Sequence, residues 1–135
     1  MCIILDADHF SKFQRRDKDM QPVRRWLDRR NGKIIFSDTK KFRDEWAQAK
    51  PLAAELARAD QIEVVSQGVA EKENELKGKI ESNDEHIVAL AIVAGVKVLV
   101  SSDQALHKDF KNPNLVGGKV YQKKSHVGLL RDTCS

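Results

Sequence analysis

The stretch Ser82–Phe110, SNDEHIVALAIVAGVKVLVSSDQALHKDF, decides the fold. It opens on an acidic helix start, Asn83-Asp84-Glu85, and runs on through apolar residues from Ile87 to Ala94. A helix this apolar is buried on most of its surface. Gly95 is placed to end it. Val96 to Val100 then reads as a short buried strand that stops at Ser101-Ser102-Asp103. One carboxylate precedes the helix and another follows the strand. A helix docked back on its own strand brings those two ends to the same sheet edge. The N-terminus, MCIILDADH, has the same grammar: an apolar run, Cys2 to Leu5, ends in Asp6 and Asp8.

Working outward, a helix is expected from His9 to Arg16 with Phe10 and Phe13 inward. Pro22 opens a second helix to about Arg30, with a Val23, Trp26, Leu27 stripe. Asn31-Gly32 ends it, and Lys33 to Ser37 reads as a strand. Asp38 or Thr39 can cap a helix from Lys40 to Lys50 whose apolar positions are Phe42, Trp46 and Ala49. Leu52 to Ala59 continues as helix beyond Pro51, and Ile62 to Val65 is a third strand. Gln67 to Glu81, rich in Lys and Glu, reads as a short exposed helix and a loop. After the deciding stretch, which closes on a helix from Asp103 to Lys111, come a last strand, Lys119 to Gln122, and a final helix from Ser125 to Arg131. Short apolar strands alternating with helices predict an α/β fold: a three-layer α/β/α sandwich on a mainly parallel sheet. At 135 residues this is a single domain spanning 1–135. In such sheets ligands bind at strand C-termini, near a topological switch point.

No apolar run is long enough to span a bilayer, and Cys2–Leu5 lacks the basic flank of a signal peptide. A cytoplasmic protein without membrane contact is expected, with Cys2 and Cys134 as two reduced thiols. Residues 1–50 carry 13 Lys/Arg against 8 Asp/Glu, whereas residues 51–100 carry 5 against 9. The basic first half, with Arg15, Arg16, Arg24, Arg25, Lys40 and Lys41, suits a polyanion.

Each acid has a structural reading as well as a chemical one. Asp6 can accept backbone N–H bonds from the following helix, and Asp8 and Asp103 can cap helices. Ser82 and Glu85 match a capping box around Asp84. Glu45 sits at the edge of the Phe42–Trp46 stripe, and Asp109 reads as a surface acid. Collectively they say more. Carboxylates converging on one edge repel and stay ionised only beside a compensating cation. Hard oxygen donors select Mg2+ or Mn2+ over zinc. His9, His86, His107 and His126 show no ligand spacing, and no phosphate-loop, dinucleotide or serine-nucleophile motif is present. A carboxylate site with bound Mg2+ can activate water and stabilise phosphoryl charge, which is the chemistry of phosphodiester hydrolysis.

The set of strand-end Asp6, helix-borne Glu45, Asp84-x-x-Ile87-x-Ala89-x-Ala91 and Val98-Leu99-Val100-Ser101-Ser102-Asp103 resembles a PIN domain of the VapC-like type, over nearly the whole chain. The resemblance implies a Mg2+- or Mn2+-dependent ribonuclease. Asp6, Glu45, Asp84 and Asp103 would be catalytic, Asp6, Asp84, Asp103 and Asp109 would hold metal, and Asp109 or Asp8 would be an auxiliary member. It also implies an RNA substrate, a toxin–antitoxin pairing with an antitoxin protein, and a homodimer. Two positions depart from the pattern. Asp8 stands where the family usually has Asn, and Asp44 adjoins Glu45, which is preferred because Trp46 matches the apolar residue after the family's acid.

Two other readings compete. Asp6-Ala7-Asp8 also resembles the D-x-D of haloacid-dehalogenase-type phosphatases, with Asp6 as nucleophile and Asp8 as general acid/base. That family wants Thr or Val where Phe10 stands. The remaining reading is a PIN-like module that binds RNA or protein without cleaving.

Overall fold

The computed structural model describes residues 1–134. Five strands form one sheet in the order β3-β2-β1-β4-β5: β1 Cys2–Leu5, β2 Lys33–Phe36, β3 Ile62–Val64, β4 Val98–Val100 and β5 Lys119–Tyr121. Every neighbouring pair is parallel, with Ile4 opposite Leu99, Leu5 opposite Val100, and Ile3 opposite Ile34. The central strand β1 and its neighbour β4 are buried throughout. That is why they read as unbroken apolar runs rather than alternating ones.

Seven α-helices connect the strands: α1 Phe10–Gln14, α2 Gln21–Arg29, α3 Lys40–Trp46, α4 Lys50–Arg58, α5 Val69–Leu76, α6 Glu85–Ala94 and α7 Gln104–Lys111. The expected α/β architecture is therefore present. The chain winds outward from β1 to β3, returns, and lays β4 and β5 on the other side of β1. Right-handed crossovers then put the two sets of helices on opposite faces. The winding direction changes between β1 and β4, where parallel-sheet proteins bind ligands. Asp6 immediately follows β1, and Asp103 lies three residues past β4.

The expected elements differ from the observed ones mainly at their ends. A 3-10 turn, Ala7–His9, precedes α1, and another, Ala47–Ala49, falls inside the helix expected from Lys40 to Lys50, so the break between α3 and α4 comes before Pro51 rather than at it. The last segment, Lys124–Arg131, is 3-10 rather than α-helical. Helix α5 corrects the reading of an exposed segment. Val69 and Leu76, seven residues apart, are buried and α5 packs along α6. Gly95 closes α6 with φ 72°, the left-handed conformation that a glycine adopts without a Cβ penalty.

The reading of two reduced thiols is also corrected. Cys2 and Cys134 are disulfide-bonded, with Cα atoms 5.7 Å apart across 132 residues. The C-terminal tail is laid beside β1 and β4, because Cys2 N donates to Thr133 Oγ1 (3.0 Å) and Lys97 N to the Thr133 carbonyl (2.7 Å). No helix among the described residues is long and apolar enough to cross a membrane.

Candidate metal centre

The backbone N–H of Asp6 donates to the Val100 carbonyl (2.9 Å), so the β1–β4 ladder extends up to the site. The Asp6 side chain is 5 % exposed. One oxygen accepts from Ala7 N (2.8 Å) and the other from Ser101 Oγ (2.8 Å). These bonds orient the carboxylate but do not neutralise it. Burial, joined by repulsion from Asp8 and Asp84, pushes Asp6 up to about 6 despite the Ser101 hydrogen bond.

Asp84 sits at the N-cap position of α6, yet its carboxylate makes no capping bond. The expected capping box is not formed. Ser82 Oγ instead accepts from Asp84 N (3.2 Å), which leaves the Asp84 carboxylate available. Burial raises its pKa. Glu45 and Asp103 push the same way, while His86 and Lys41 oppose them. The Lys41 ammonium lies 3.7 Å from Asp84 Oδ1 and also reaches the Asn83 carbonyl.

Asp103 divides its duties. Its Oδ1 accepts from Ala105 N (3.0 Å) and Leu106 N (3.2 Å), so the expected cap of α7 is real. The second oxygen is not used by the cap. Ser101 ties this end to Asp6, since the same Oγ that donates to Asp6 accepts from Asp103 N (3.1 Å).

Glu45 projects from α3 toward the start of α6 and meets His86 Nε2 at 2.5 Å. His86 is 1 % exposed, and its other ring nitrogen, Nδ1, has no hydrogen-bond partner. A lone protonated nitrogen must therefore be the one facing Glu45, which makes Nε2 the donor in the neutral ring. Donor atoms of Glu45, Asp84 and His86 all lie within 4.8 Å of one another. Sequence spacing gave no signal for His86 as a site residue. The available clue was its place two residues after Asp84, on the first turn of a buried helix.

Asp8 does not cap a helix. Its two oxygens take His9 Nδ1 (2.9 Å) and Ser102 N (2.9 Å), fastening the loop after β4 to the loop after β1. Burial works to raise its pKa, but these hydrogen bonds outweigh it and the group stays below its ordinary value. His107 reinforces the same loop through the Ser101 carbonyl (2.8 Å). Asp109, expected as a surface acid or an auxiliary metal ligand, is instead buried, 3 % exposed. Its two oxygens accept from Glu81 N and Ser82 N, each at 2.9 Å, so it anchors the segment that delivers Asp84. Asp44 points away and pairs with Lys40 at 2.7 Å, which favours Glu45 as the acid of α3.

The basic residues separate by role. Arg24 is a correction: it is buried, forked onto Glu55 (3.0 and 3.2 Å) and the Phe13 carbonyl, and stacked 4.2 Å over the Phe13 ring. A guanidinium consumed this way cannot meet a polyanion. Arg15 and Arg16 are exposed and only loosely paired, at 3.7 Å with Asp17 and 4.0 Å with Glu55. Arg15 lines a groove of about 410 Å³ with Ala7, Phe10 and Gln48, starting one residue from Asp6. Lys41 is at the acids. Arg25 lies away from them, in a groove that Met1 also lines, before the start of β1.

No family model and no curated protein matches this chain. Among solved structures, a chain of VapBC2 from Rickettsia felis, determined bound to a DNA fragment from their promoter, superposes with a TM-score of 0.52. The match has 21% sequence identity and covers 90% of this chain and 100% of that one. At this identity the likeness speaks for the fold alone.

The residues present fit a hard divalent cation. Two carboxylates are destabilised in their ionised form by burial and by neighbouring acids, Asp6 by Asp8 and Asp84, and Asp84 by Glu45 and Asp103. One nearby ammonium does not restore either to its ordinary value. A cation held beside Asp84 and Glu45, or near Asp6, would relieve the crowding at each.

Proposed function

We propose that this protein is a metal-dependent endoribonuclease of PIN type that hydrolyses RNA phosphodiester bonds, and that it is the toxin of a toxin–antitoxin pair. One observation carries the reading. Near the switch point between β1 and β4, Asp6 is pushed up by burial and by Asp8 and Asp84, and Asp84 is raised by burial and by Glu45 and Asp103. Asp6, Asp84 and the second oxygen of Asp103 would hold Mg2+ or Mn2+, with Glu45 beside them. When bound, the metal supplies a Lewis acid that activates water and steadies charge on a phosphoryl oxygen.

The chain's own residues do the rest. Ser101 holds Asp6 and the start of α7 in a fixed relation. His86 fixes the Glu45 carboxylate, which orients the attacking water. Lys41 limits repulsion at Asp84 until substrate arrives. RNA phosphates approach across Arg15, Arg16, Lys40 and Lys41, with the Arg15 groove as a path for the strand. The toxin–antitoxin assignment draws on the fold shared with a chain of VapBC2, a complex determined on promoter DNA; a small DNA-binding antitoxin, a homodimer and a cytoplasmic location complete the proposal.

The phosphatase reading loses ground at Asp8. A general acid must carry a proton, whereas hydrogen bonds from His9 and Ser102 hold Asp8 ionised and occupy both oxygens. Asp8→Asn should therefore leave most RNA cleavage intact.

The test is incubation of purified protein with single-stranded RNA under EDTA, Mg2+ or Mn2+. Cleavage with either metal and none with EDTA is expected. Intact RNA in Mn2+, together with salt-sensitive binding, would instead establish the non-catalytic module.

A further inference from the structure

Met1 precedes β1 and Asp6 follows it, so a groove lined by Met1 belongs to the end of the sheet opposite the acids. This groove has a volume of about 640 Å³ and gathers four arginines, Arg25, Arg29, Arg30 and Arg131. All four are exposed, and no Asp or Glu lines the groove. Among the described residues none of the four has an ion-pair partner. The contrast on the same helix is sharp, because Arg24 is committed to Glu55. Four guanidinium groups at one concavity repel each other, and no ion pair among the described residues compensates them.

The groove is also apolar. Met1 is 50% exposed and Val127 51%, two of the three large hydrophobic residues that the described surface leaves bare. Trp26 is buried beneath the groove, 5% exposed, so its ring offers no face for a stacked base. Bare aliphatic side chains are likewise poor neighbours for a phosphate backbone. A symmetric contact with a second copy would set the arginines against themselves.

We infer that this groove docks an acidic amphipathic peptide segment of a partner protein, its carboxylates on Arg25, Arg29, Arg30 and Arg131 and an apolar side chain between Met1 and Val127. Guanidinium forks match carboxylates bidentately, and the aliphatic contact supplies selectivity over bare charge. The site is separate from the acidic edge and stands whether or not that edge cleaves RNA.

The experiment is fluorescence anisotropy of a labelled short helical peptide bearing Leu at helical spacing and Glu elsewhere, titrated with the full chain. Comparators are poly-glutamate and a single-stranded DNA of equal charge. The amphipathic peptide should bind at least about tenfold more tightly than either comparator. The exposed double variant Arg29→Gln/Arg131→Gln and the single variant Val127→Asp should each weaken it about tenfold or more. Unchanged circular dichroism and thermal midpoint certify the fold of each variant. Equal or tighter binding of poly-glutamate or DNA would overturn the inference, as would wild-type affinity in the variants. A concentration-dependent dimer that these variants abolish would overturn it too, by assigning the face to a second copy.

Discussion

At the scale of single residues, Asp6 concentrates the conflict between stability and function. Its folded pKa is about 6, against an ordinary value of 3.8. A carboxyl raised in the folded state favours folding while protonated. The penalty is absent below pH 4 and grows as pH rises toward about 6, reaching roughly 3 kcal/mol once the group is fully ionised. Asn in its place can accept from Ala7 N and donate to Ser101 Oγ without ever ionising. In EDTA, Asp6→Asn should therefore raise the urea midpoint at pH 7 and leave it nearly unchanged at pH 4. By the same sign, protons compete with metal, so apparent Mn2+ affinity should fall as pH drops through 6. Titrations of Mn2+ at pH 5 and 7.5 check this.

His86 makes a second residue-scale prediction. Its imidazole is the group that sets Glu45, at 2.5 Å. His86→Phe keeps a buried ring against Phe42 but removes the donor. Groups that orient metal-site side chains commonly cost 10- to 100-fold when lost, so a fall of about that size in Mn2+-supported cleavage is expected, with circular dichroism unchanged.

At the scale of elements, the acids depend on how β1, β4, α3 and α6 are held. Asp109 holds the approach to α6 through two backbone N–H groups. Asp109→Ala leaves both unpaired, at about 1–3 kcal/mol each. Chemical denaturation should show a loss of that order, and cleavage should fall because Asp84 is released from its place. Gly32 is set by packing, since a Cβ there would come within 2.7 Å of the Trp26 ring. Gly32→Ala should destabilise by about 1–3 kcal/mol through overpacking, read as a lower thermal midpoint.

These elements also show what sequence alone could reveal. Buried strands announce themselves as apolar runs, so β1 and β4 were legible, and with them the positions of Asp6 and Asp103 at strand ends. Helix α5 was less legible, because only Val69 and Leu76 face inward among charged neighbours and a two-residue stripe carries little periodicity. The duty of Asp109 was not legible at all. Its partners are backbone N–H groups 27 and 28 residues away, and backbone donors leave no trace in side-chain spacing. His86 escaped for a similar reason, since its partner Glu45 is 41 residues distant. Arg24 was misread because exposed and buried arginines look alike until Glu55 is found across the helix pair.

At the scale of the whole molecule, the chain separates two surfaces of opposite sign at opposite ends of one parallel sheet. The Cys2–Cys134 bond ties the chain's two ends to the core beside β1 and β4. A cross-link of this span restricts the unfolded chain, and reduction should lower stability by about 2–4 kcal/mol. Intact mass with and without reductant, followed by denaturant melts, measures it. Such bonds are uncommon in reducing compartments, so there the tail is held by the Thr133 hydrogen bonds and the Val96–Cys134 bridge.

All of this converges on whether the acids at the switch point perform metal-dependent hydrolysis. The most direct measurement is cleavage of single-stranded RNA in Mn2+ by Asp6→Asn beside the wild type, both shown to be folded. Cleavage by the wild type and its near-complete loss in the variant is expected, even though the variant is the more stable protein at pH 7. Undiminished cleavage by Asp6→Asn would contradict the metal-centre assignment.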